Sequence, residues 1–225
     1  MPEAIWTAVD RYLTDTLIPP TSEIAPILEA ALAANAAEGL PSIDVSPTQG
    51  QFLYLLAKIH GAKRILEIGT LGGYSTICLA RALPAGGHLI TLEFSPHHAQ
   101  VAQANIDRAG LSEVVEIRVG AAADSLAQLH AEAAPPFDMI FIDADKPNNA
   151  VYLDWALKLS RKGAVILIDN VIREGEIANS SSHSPAVQGT RQMFADIAAN
   201  PNLEATALQT VGSKGYDGFS LVRVL

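Results

Sequence analysis

Hydrophobic and polar positions follow a repeating pattern through the middle of the chain. Short apolar runs rich in β-branched residues alternate with longer stretches of helical periodicity; the runs lie at 64–69, 88–93, 114–120, 137–143 and 164–170. Strands of this kind, separated by helices, are typical of a parallel sheet covered on both faces. The pattern predicts a doubly wound α/β fold.

The segments between these strands are predicted to be helices, at 73–83, 96–109 and 147–160. Ser95 and Pro96 are placed as N-cap and first-turn proline of the second helix. Gly110 and Gly163 lie where the second and third helices are expected to end.

Residues 1–60 have helical patterns and no strand. Ser22 is expected to cap one helix, and Ser46-Pro47 to open another that ends at Gly61. We interpret this region as an N-terminal helical lid on a core formed by residues 61–225. The whole chain, 1–225, is then a single domain.

The C-terminal part changes character after the last of these strands. Residues 171–189 are polar and rich in serine, and residues 187–199 resume a helical pattern. Two further strands are predicted at 203–211 and 217–225, joined by the turn-rich sequence GSKGYDG. They form a hairpin that closes one edge of the sheet.

Composition narrows the class of partner. Hydrophobic residues make up 49% of the 225 residues, and the formal net charge is -9. An acidic chain argues against a nucleic-acid partner, which needs clustered Lys and Arg. The single Cys78 excludes an internal disulfide, and its apolar surroundings predict a buried thiol. With no basic leader and no apolar stretch of ~18 residues, a cytoplasmic protein without membrane contact is expected.

The first strand runs into a glycine turn, EIGTLGGYS, at residues 67–75. At the carboxyl end of a strand in a doubly wound sheet, such a turn lets a cofactor approach the backbone. Leu71 breaks the dinucleotide pattern G-x-G-x-x-G, which makes a pyrophosphate cradle less favoured. Glu93, ending the second strand, is placed to accept from ribose hydroxyls. An adenosine-containing cofactor is indicated, although the turn alone also fits a tight connection with no ligand.

Polar side chains end the fourth and fifth strands: Asp143, then Asp169 and Asn170. If these strands are neighbours, their ends lie about 4.8 Å apart, and the three oxygen ligands can converge. Such ligands select Mg²⁺, Mn²⁺ or Ca²⁺. Alternatively, Asp143 caps a helix. Lys146 either reaches a substrate oxygen at this site or forms a surface ion pair.

The combination resembles a family, the cation-dependent O-methyltransferases that include catechol and caffeoyl-coenzyme A O-methyltransferases. The motifs that carry the resemblance are SPTQGQF at 46–52, EIGTLGGYS at 67–75, FIDADK at 141–146 and ILIDN at 166–170. The resemblance implies a Rossmann-like methyltransferase fold, with a mostly parallel seven-stranded sheet whose last strand is antiparallel. It also implies a homodimer.

The resemblance implies S-adenosylmethionine as methyl donor and a divalent cation held by Asp143, Asp169 and Asn170. It assigns Lys146 as the base, so that Lys146 and Asp143 are the expected catalytic residues. The residues that it places around the cofactor are Glu67, Gly69, Thr70, Ser75, Glu93, Ala122, Asp143, Asp145 and Tyr152.

Departures from the family pattern bear on the acceptor. Glu174 stands where plant enzymes acting on coenzyme A thioesters carry a substrate-contacting Asn, and the first lysine of the chain is Lys58. A small free catechol or phenol is therefore expected rather than a coenzyme A ester. Arg173 and Glu174 either contact this acceptor or belong to a solvated loop. Two alternatives to the enzyme stay open: a nicotinamide-dependent reductase and a non-catalytic cofactor-binding regulator.

Overall fold

The computed structural model describes residues 2–225, with side chains described from residue 4 onward. Contacts group the chain into two compact units, Met1–Ala122 and Ala123–Leu225. No helix in the described part of the chain is both long enough and apolar enough to span a membrane. The single domain with an N-terminal lid stays a prediction.

The first unit contains five helices and three strands among its described residues. In chain order they are α1 (Pro2–Leu17), α2 (Ala25–Ala37), α3 (Pro47–His60), β1 (Arg64–Ile68), α4 (Tyr74–Ala80), β2 (His88–Glu93), α5 (Pro96–Arg108) and β3 (Val115–Val119). The strands are parallel and lie in the order β3-β2-β1. Ile65, Leu66 and Leu89 are fully buried, as expected for strands covered on both faces.

Helix starts in this unit are capped by the predicted serines. The hydroxyl of Ser46 accepts from the amide of Gln49 at 3.2 Å, and that of Ser95 accepts from the amide of His98 at 3.3 Å. The hydroxyl of Ser22 likewise accepts from the amide of Ala25, the first residue of α2, at 3.3 Å, although the residue directly before the helix, Ile24, makes no side-chain cap bond. A proline in the first turn of α2 fixes the helical φ there, and the helix begins at Ala25.

The second unit contains the remaining helices and strands, apart from Ala122, the first residue of α6, which belongs to the first unit. In chain order they are α6 (Ala122–Ala131), β4 (Phe137–Ile142), a 3₁₀ helix (Lys146–Asn148), α7 (Asn149–Leu159), β5 (Ser160–Asp169), a kinked 3₁₀ segment (Arg173–Ala178), α8 (Pro185–Ala199), β6 (Leu203–Gly212) and β7 (Gly215–Val224). The order is β4-β5-β7-β6, with β4 and β5 parallel and β7 antiparallel to both of its neighbours. The predicted C-terminal hairpin is confirmed.

Two predictions in this unit needed correction. The helix expected to stop at Gly163 ends at Leu159, and Gly163 lies inside β5 with φ 83°. The β4–β5 register shifts between Phe137 and Met139, so β5 contains extra residues there and a glycine in the left-handed region suits the bulge. Helix α6 was not assigned from the sequence at all.

Candidate active site

The glycine turn connects β1 to α4 in the first unit. Gly69 has φ 101° and Gly73, the N-cap of α4, has φ 84°, so both positions use backbone conformations that favour glycine. Just before the turn, the fully buried carboxylate of Glu67 accepts from the hydroxyls of Ser75 at 2.6 Å and Thr91 at 2.7 Å, and also from that of Thr76. Glu67 thereby ties the start of α4 to β1 and β2.

Glu93 at the end of β2 holds the turn from the other side. Its Oε2 accepts from the backbone amides of Thr70 at 3.2 Å and Leu71 at 2.8 Å. Its Oε1 accepts from the amide of Ser95 at 2.9 Å and lies 3.4 Å from Nδ1 of His98. The predicted cofactor residues Glu67, Thr70, Ser75 and Glu93 are thus brought together around one turn. Acceptance from ribose hydroxyls by Glu93 stays a prediction.

A buried pair of asparagines supports the same turn and was missed from the sequence. Nδ2 of Asn105 in α5 donates to the carbonyl of Gly72 at 2.9 Å and to Oδ1 of Asn35 in α2 at 3.0 Å. Asn35 in turn donates to Asp44 at 2.9 Å. A Cβ at Gly72 would lie only 1.9 Å from Oδ1 of Asn35, so the close approach requires glycine. The turn is therefore held in one geometry by two helices.

In the second unit, the fully buried β4 ends at Ile142 and leads to Asp143 and Lys146. Nζ of Lys146 donates to Oδ1 of Asp143 at 2.8 Å, and the lysine side chain is 10% exposed. A surface ion pair is therefore excluded for Lys146. The N-cap position of the 3₁₀ helix that follows is held by Asp145 and not by Asp143, so the alternative that Asp143 caps this helix is wrong. Asp145 itself makes no side-chain cap bond.

Asp169 and Asn170 lie at the end of the neighbouring strand. Ile142 pairs with Ile168 in the parallel register, so Asp143 and Asp169 each directly follow a paired residue. Asp169 is 5% exposed, and its Oδ1 accepts from the amide of Asn170 at 2.9 Å. Asn170 has φ 56°, a left-handed conformation that Asn adopts more readily than most residues. The predicted neighbourhood of the two strand ends is confirmed.

These side chains fit a hard divalent cation by their chemistry. Two carboxylates and one amide offer oxygen ligands without sulfur or imidazole. Across the residues that the structure describes, no group of three His, Cys, Asp or Glu side chains could hold a metal ion. The predicted set contains only two residues of those types, so cation binding stays a prediction.

Asp145 and Tyr152, both expected near the cofactor, contact each other. Oδ1 of Asp145 accepts from the Tyr152 hydroxyl, and its Oδ2 accepts from Nδ2 of Asn148 at 2.5 Å. Burial, together with the hydrogen bond and negative charge of Asp145, raises the pKa of the Tyr152 phenol above its ordinary value. Tyr152 is therefore a neutral donor at neutral pH. Ala122, the remaining predicted cofactor residue, is the first residue of α6.

Helix α8 packs closely on the segment that carries Lys146. A Cβ at Gly189 would lie 2.5 Å from the carbonyl oxygens of Lys146 and Pro147. Next to it, the hydroxyl of Thr190 accepts from Nδ2 of the buried Asn149 at 3.3 Å. The backbone of Lys146 and Pro147 therefore leaves no space for a side chain at position 189. Gly189 was not found from the sequence, where it lies in an ordinary helical pattern.

Known proteins resemble this chain over its whole length. The model of a family described as O-methyltransferase matches residues 21–225. A catechol O-methyltransferase from Niastella koreensis is 54% identical over 224 residues, covering 100% of both chains. A catechol O-methyltransferase from Mycobacterium tuberculosis is 51% identical and covers 96% of this chain and 94% of its own.

A solved structure agrees in fold as well as in sequence. The O-methyltransferase from Bacillus cereus, crystallised in complex with SAH, matches with a TM-score of 0.96 and 58% identity, covering 99% of each chain. SAH is what remains of S-adenosylmethionine after methyl transfer. The match confirms the predicted class, a doubly wound, mostly parallel seven-stranded sheet of Rossmann-like type with N-terminal helices. The chain belongs to the O-methyltransferase family and is an enzyme that uses S-adenosylmethionine as its methyl donor.

Proposed function

We propose that this O-methyltransferase is divalent-cation-dependent and transfers the methyl group to one hydroxyl of a small catechol. The observation that carries the proposal is the arrangement at the ends of β4 and β5. Lys146, buried and 2.8 Å from Asp143, lies beside a strand end where Asp169 and Asn170 offer further oxygen ligands. Two vicinal hydroxyls are the acceptor geometry that a cation held by such ligands would favour.

Lys146 is proposed to receive the proton from the acceptor hydroxyl. Lys146 enters this step as the uncharged amine, and the ammonium that forms donates to Oδ1 of Asp143, so the proton has a stable destination. The deprotonated oxygen attacks the sulfonium methyl, the carbon–sulfur bond breaks, and S-adenosylhomocysteine leaves. A cation on Asp143, Asp169 and Asn170 would supply charge stabilisation of the acceptor oxygen.

The cofactor is proposed to be held by the residues predicted from the sequence: Glu67, Gly69, Thr70, Ser75, Glu93, Ala122, Asp143, Asp145 and Tyr152. One of these residues, Glu93, already fixes the glycine turn, because its carboxylate accepts from two backbone amides of the turn. A preformed turn lowers the entropic cost of binding. Holding the acceptor oxygen and methyl in line can contribute up to about 7–11 kcal/mol to the lowering of the barrier.

Two observations support a free catechol as acceptor. The relatives from Niastella koreensis and Mycobacterium tuberculosis are both named catechol O-methyltransferases. By the resemblance, Glu174 stands where plant enzymes acting on coenzyme A thioesters carry a substrate-contacting Asn. The reductase and regulator alternatives are set aside because the family assignment names a different reaction.

The deciding experiment is methyl transfer from labelled S-adenosylmethionine to a panel of catechols and monophenols, with Mg²⁺ or Mn²⁺ and again with EDTA. The proposal expects turnover of catechols over monophenols, loss of turnover in EDTA and recovery when the cation is restored. EDTA-resistant turnover would contradict the cation requirement. Turnover of monophenols equal to that of catechols would contradict the vicinal diol.

We also propose that the protein is a cytoplasmic homodimer, with α1 in the interface. Ile5, Val9 and Tyr12 lie at helical spacing on α1 and are 64%, 49% and 68% exposed. A contiguous exposed apolar face of this kind is typical of an interaction surface. Size-exclusion chromatography with light scattering should give a dimer, and Tyr12→Glu should shift it toward monomer. A monomeric wild-type protein would contradict the homodimer.

A further inference from the structure

The backbone directly after Asn170 is held in an uncommon conformation. Arg173 and Glu174 have φ of 55° and 56°, and Gly175 has φ of 88°. Two successive non-glycine residues in the left-handed region cost conformational free energy, because the Cβ approaches the carbonyl oxygen. Such a conformation persists only when surrounding contacts determine it. We call residues 171–175 the strained loop.

Asp217 in β7 makes the contacts that hold the strained loop. Its Oδ1 accepts from the backbone amides of both Ile172 and Arg173, each at 2.9 Å. Its Oδ2 lies 3.5 Å from Nη1 of Arg173. One carboxylate therefore binds the loop through its backbone and also partly neutralises its only cation.

The next residue of β7, Gly218, contacts the strained loop as well. The carbonyl of Gly218 accepts from the amide of Val171 at 2.9 Å. A Cβ at Gly218 would lie 2.6 Å from Cγ1 of Ile172 and 2.2 Å from the carbonyl oxygen of Leu208. Asp217 and Gly218, consecutive residues of β7, thus both contact the strained loop. Val171 and Ile172 of the loop are buried.

We propose that Asp217 is a positioning residue that sets how the strained loop meets the methyl acceptor. The inference rests on the proposed transfer to a catechol next to Asp169 and Asn170, because the loop follows these two residues directly in the chain. The hydrogen bonds of Asp217 compensate the strain of the loop, so Arg173 and Glu174 keep a defined backbone conformation. Its charge sets the loop's preference for uncharged over anionic catechols, because it pairs with Arg173 and leaves the exposed Glu174 as the dominant charge.

Two substitutions separate the two roles of Asp217. Asp217→Ala removes both the backbone bonds and the negative charge. Asp217→Asn keeps a carbonyl oxygen that can accept from both amides but removes the charge. The matched control is Glu204→Ala, which removes another carboxylate of the C-terminal hairpin, one that pairs with Arg223 at 3.2 Å on the exposed surface.

Steady-state kinetics with catechol and with a carboxylated catechol give the first readout. Asp217→Ala should raise the KM for catechol by about tenfold, the effect of losing hydrogen bonds from a charged group, with the KM for S-adenosylmethionine changed by less than about twofold. Asp217→Asn leaves the positive charge of Arg173 without its carboxylate, so it should raise the kcat/KM for the carboxylated catechol relative to that for catechol. The increase should be about threefold, because the pair with Arg173 is partly exposed. Glu204→Ala should behave as wild type.

Trypsin cleavage after Arg173, followed by mass spectrometry, gives a second readout that does not depend on turnover. Cleavage should be faster in Asp217→Ala than in Asp217→Asn or wild type, because only the alanine variant releases the loop backbone. Cleavage at other Lys and Arg sites in the same sample shows whether the variant is folded.

The inference is overturned if Asp217→Ala keeps the wild-type KM for catechol and the wild-type cleavage rate after Arg173. It is also overturned if the KM values for catechol and S-adenosylmethionine rise together, since that indicates general damage. Absence of wild-type turnover with any catechol defeats the proposed function and this inference with it. Normal wild-type turnover with an unaffected alanine variant defeats the inference alone.

Discussion

Lys146 and Asp143 form a direct ion pair, with Nζ 2.8 Å from Oδ1, and the lysine side chain is only 10% exposed. When Lys146 carries the proton that it receives from the acceptor, its buried ammonium needs such a partner, because desolvation of an unpaired charge is costly. The pair lies three residues apart in the chain, immediately after the buried strand β4. It is placed by the rigid end of a strand rather than by a flexible loop.

Lys146→Met should therefore reduce kcat far more than it changes the affinity for S-adenosylmethionine. Removing a general base typically costs about 10²–10⁴-fold in rate. The measurement is kcat with a saturating catechol, alongside the cofactor Kd by calorimetry. Lys158→Met is the matched control, since Lys158 pairs with Asp154 at 2.7 Å on the exposed side of α7. Wild-type kcat in Lys146→Met would remove the lysine from the proposed chemistry.

A second prediction concerns the contact between α8 and the lysine segment. Gly189→Ala places a Cβ only 2.5 Å from the carbonyl oxygens of Lys146 and Pro147, so the 3₁₀ helix or α8 has to shift. Misplacement of a catalytic group by about 1 Å can cost up to about 100-fold in rate. We expect a lower kcat with a nearly unchanged KM for S-adenosylmethionine.

The control for Gly189→Ala is Asp196→Ala, on an exposed position of the same helix where the carboxylate accepts from the side chain of Gln192. Thermal unfolding of both variants separates a local shift from loss of the fold. If Gly189→Ala has wild-type kcat, the close packing does not position Lys146.

Residues at neighbouring strand ends could be predicted from the sequence, whereas contacts between distant segments could not. Asp143 and Asp169 follow adjacent parallel strands, so the fold class alone brings them close. Asn35, Gly72 and Asn105 meet only because α2 and α5 pack on the glycine turn, and no spacing along the chain records that packing. The position of Gly189 depends on the approach of two helices in the same way.

The missed asparagines lead to a third prediction. Asn105→Ala should weaken S-adenosylmethionine binding, because it removes the donor to the Gly72 carbonyl and leaves Oδ1 of Asn35 without that donor. Leaving buried polar groups unsatisfied typically costs about 1–3 kcal/mol, part of it visible as lower stability to urea. Calorimetry with S-adenosylmethionine and urea unfolding are the two measurements.

Gln103→Ala is the control for Asn105→Ala, since Gln103 is exposed on the same helix and donates to the carboxylate of Asp107 at 2.7 Å. Equal cofactor affinity in the wild type and Asn105→Ala would show that the network has no role in shaping the turn. Gly72→Ala should be the more damaging change, because its Cβ would lie 1.9 Å from Asn35.

The last prediction concerns Cys78, predicted from the sequence to be a buried thiol and only 2% exposed. Burial raises its pKa from 9.0 to about 12. Because the folded-state pKa lies above the unfolded one, the contribution to stability is fully present below pH 9 and is lost as the pH rises toward 12. In that window only the unfolded chain releases the thiol proton, so unfolding becomes more favourable.

Cys78→Ala should therefore show a shallower loss of unfolding free energy between pH 9 and pH 11 than the wild type, although it is less stable at pH 7. In the native protein the thiol should also react slowly with a disulfide reagent at pH 8, because it stays protonated and shielded. Urea unfolding at several pH values and the rate of thiol modification measure the two effects. Parallel pH profiles for the two proteins would mean that the thiol titrates alike in the folded and unfolded chains, and that its burial does not govern its ionisation.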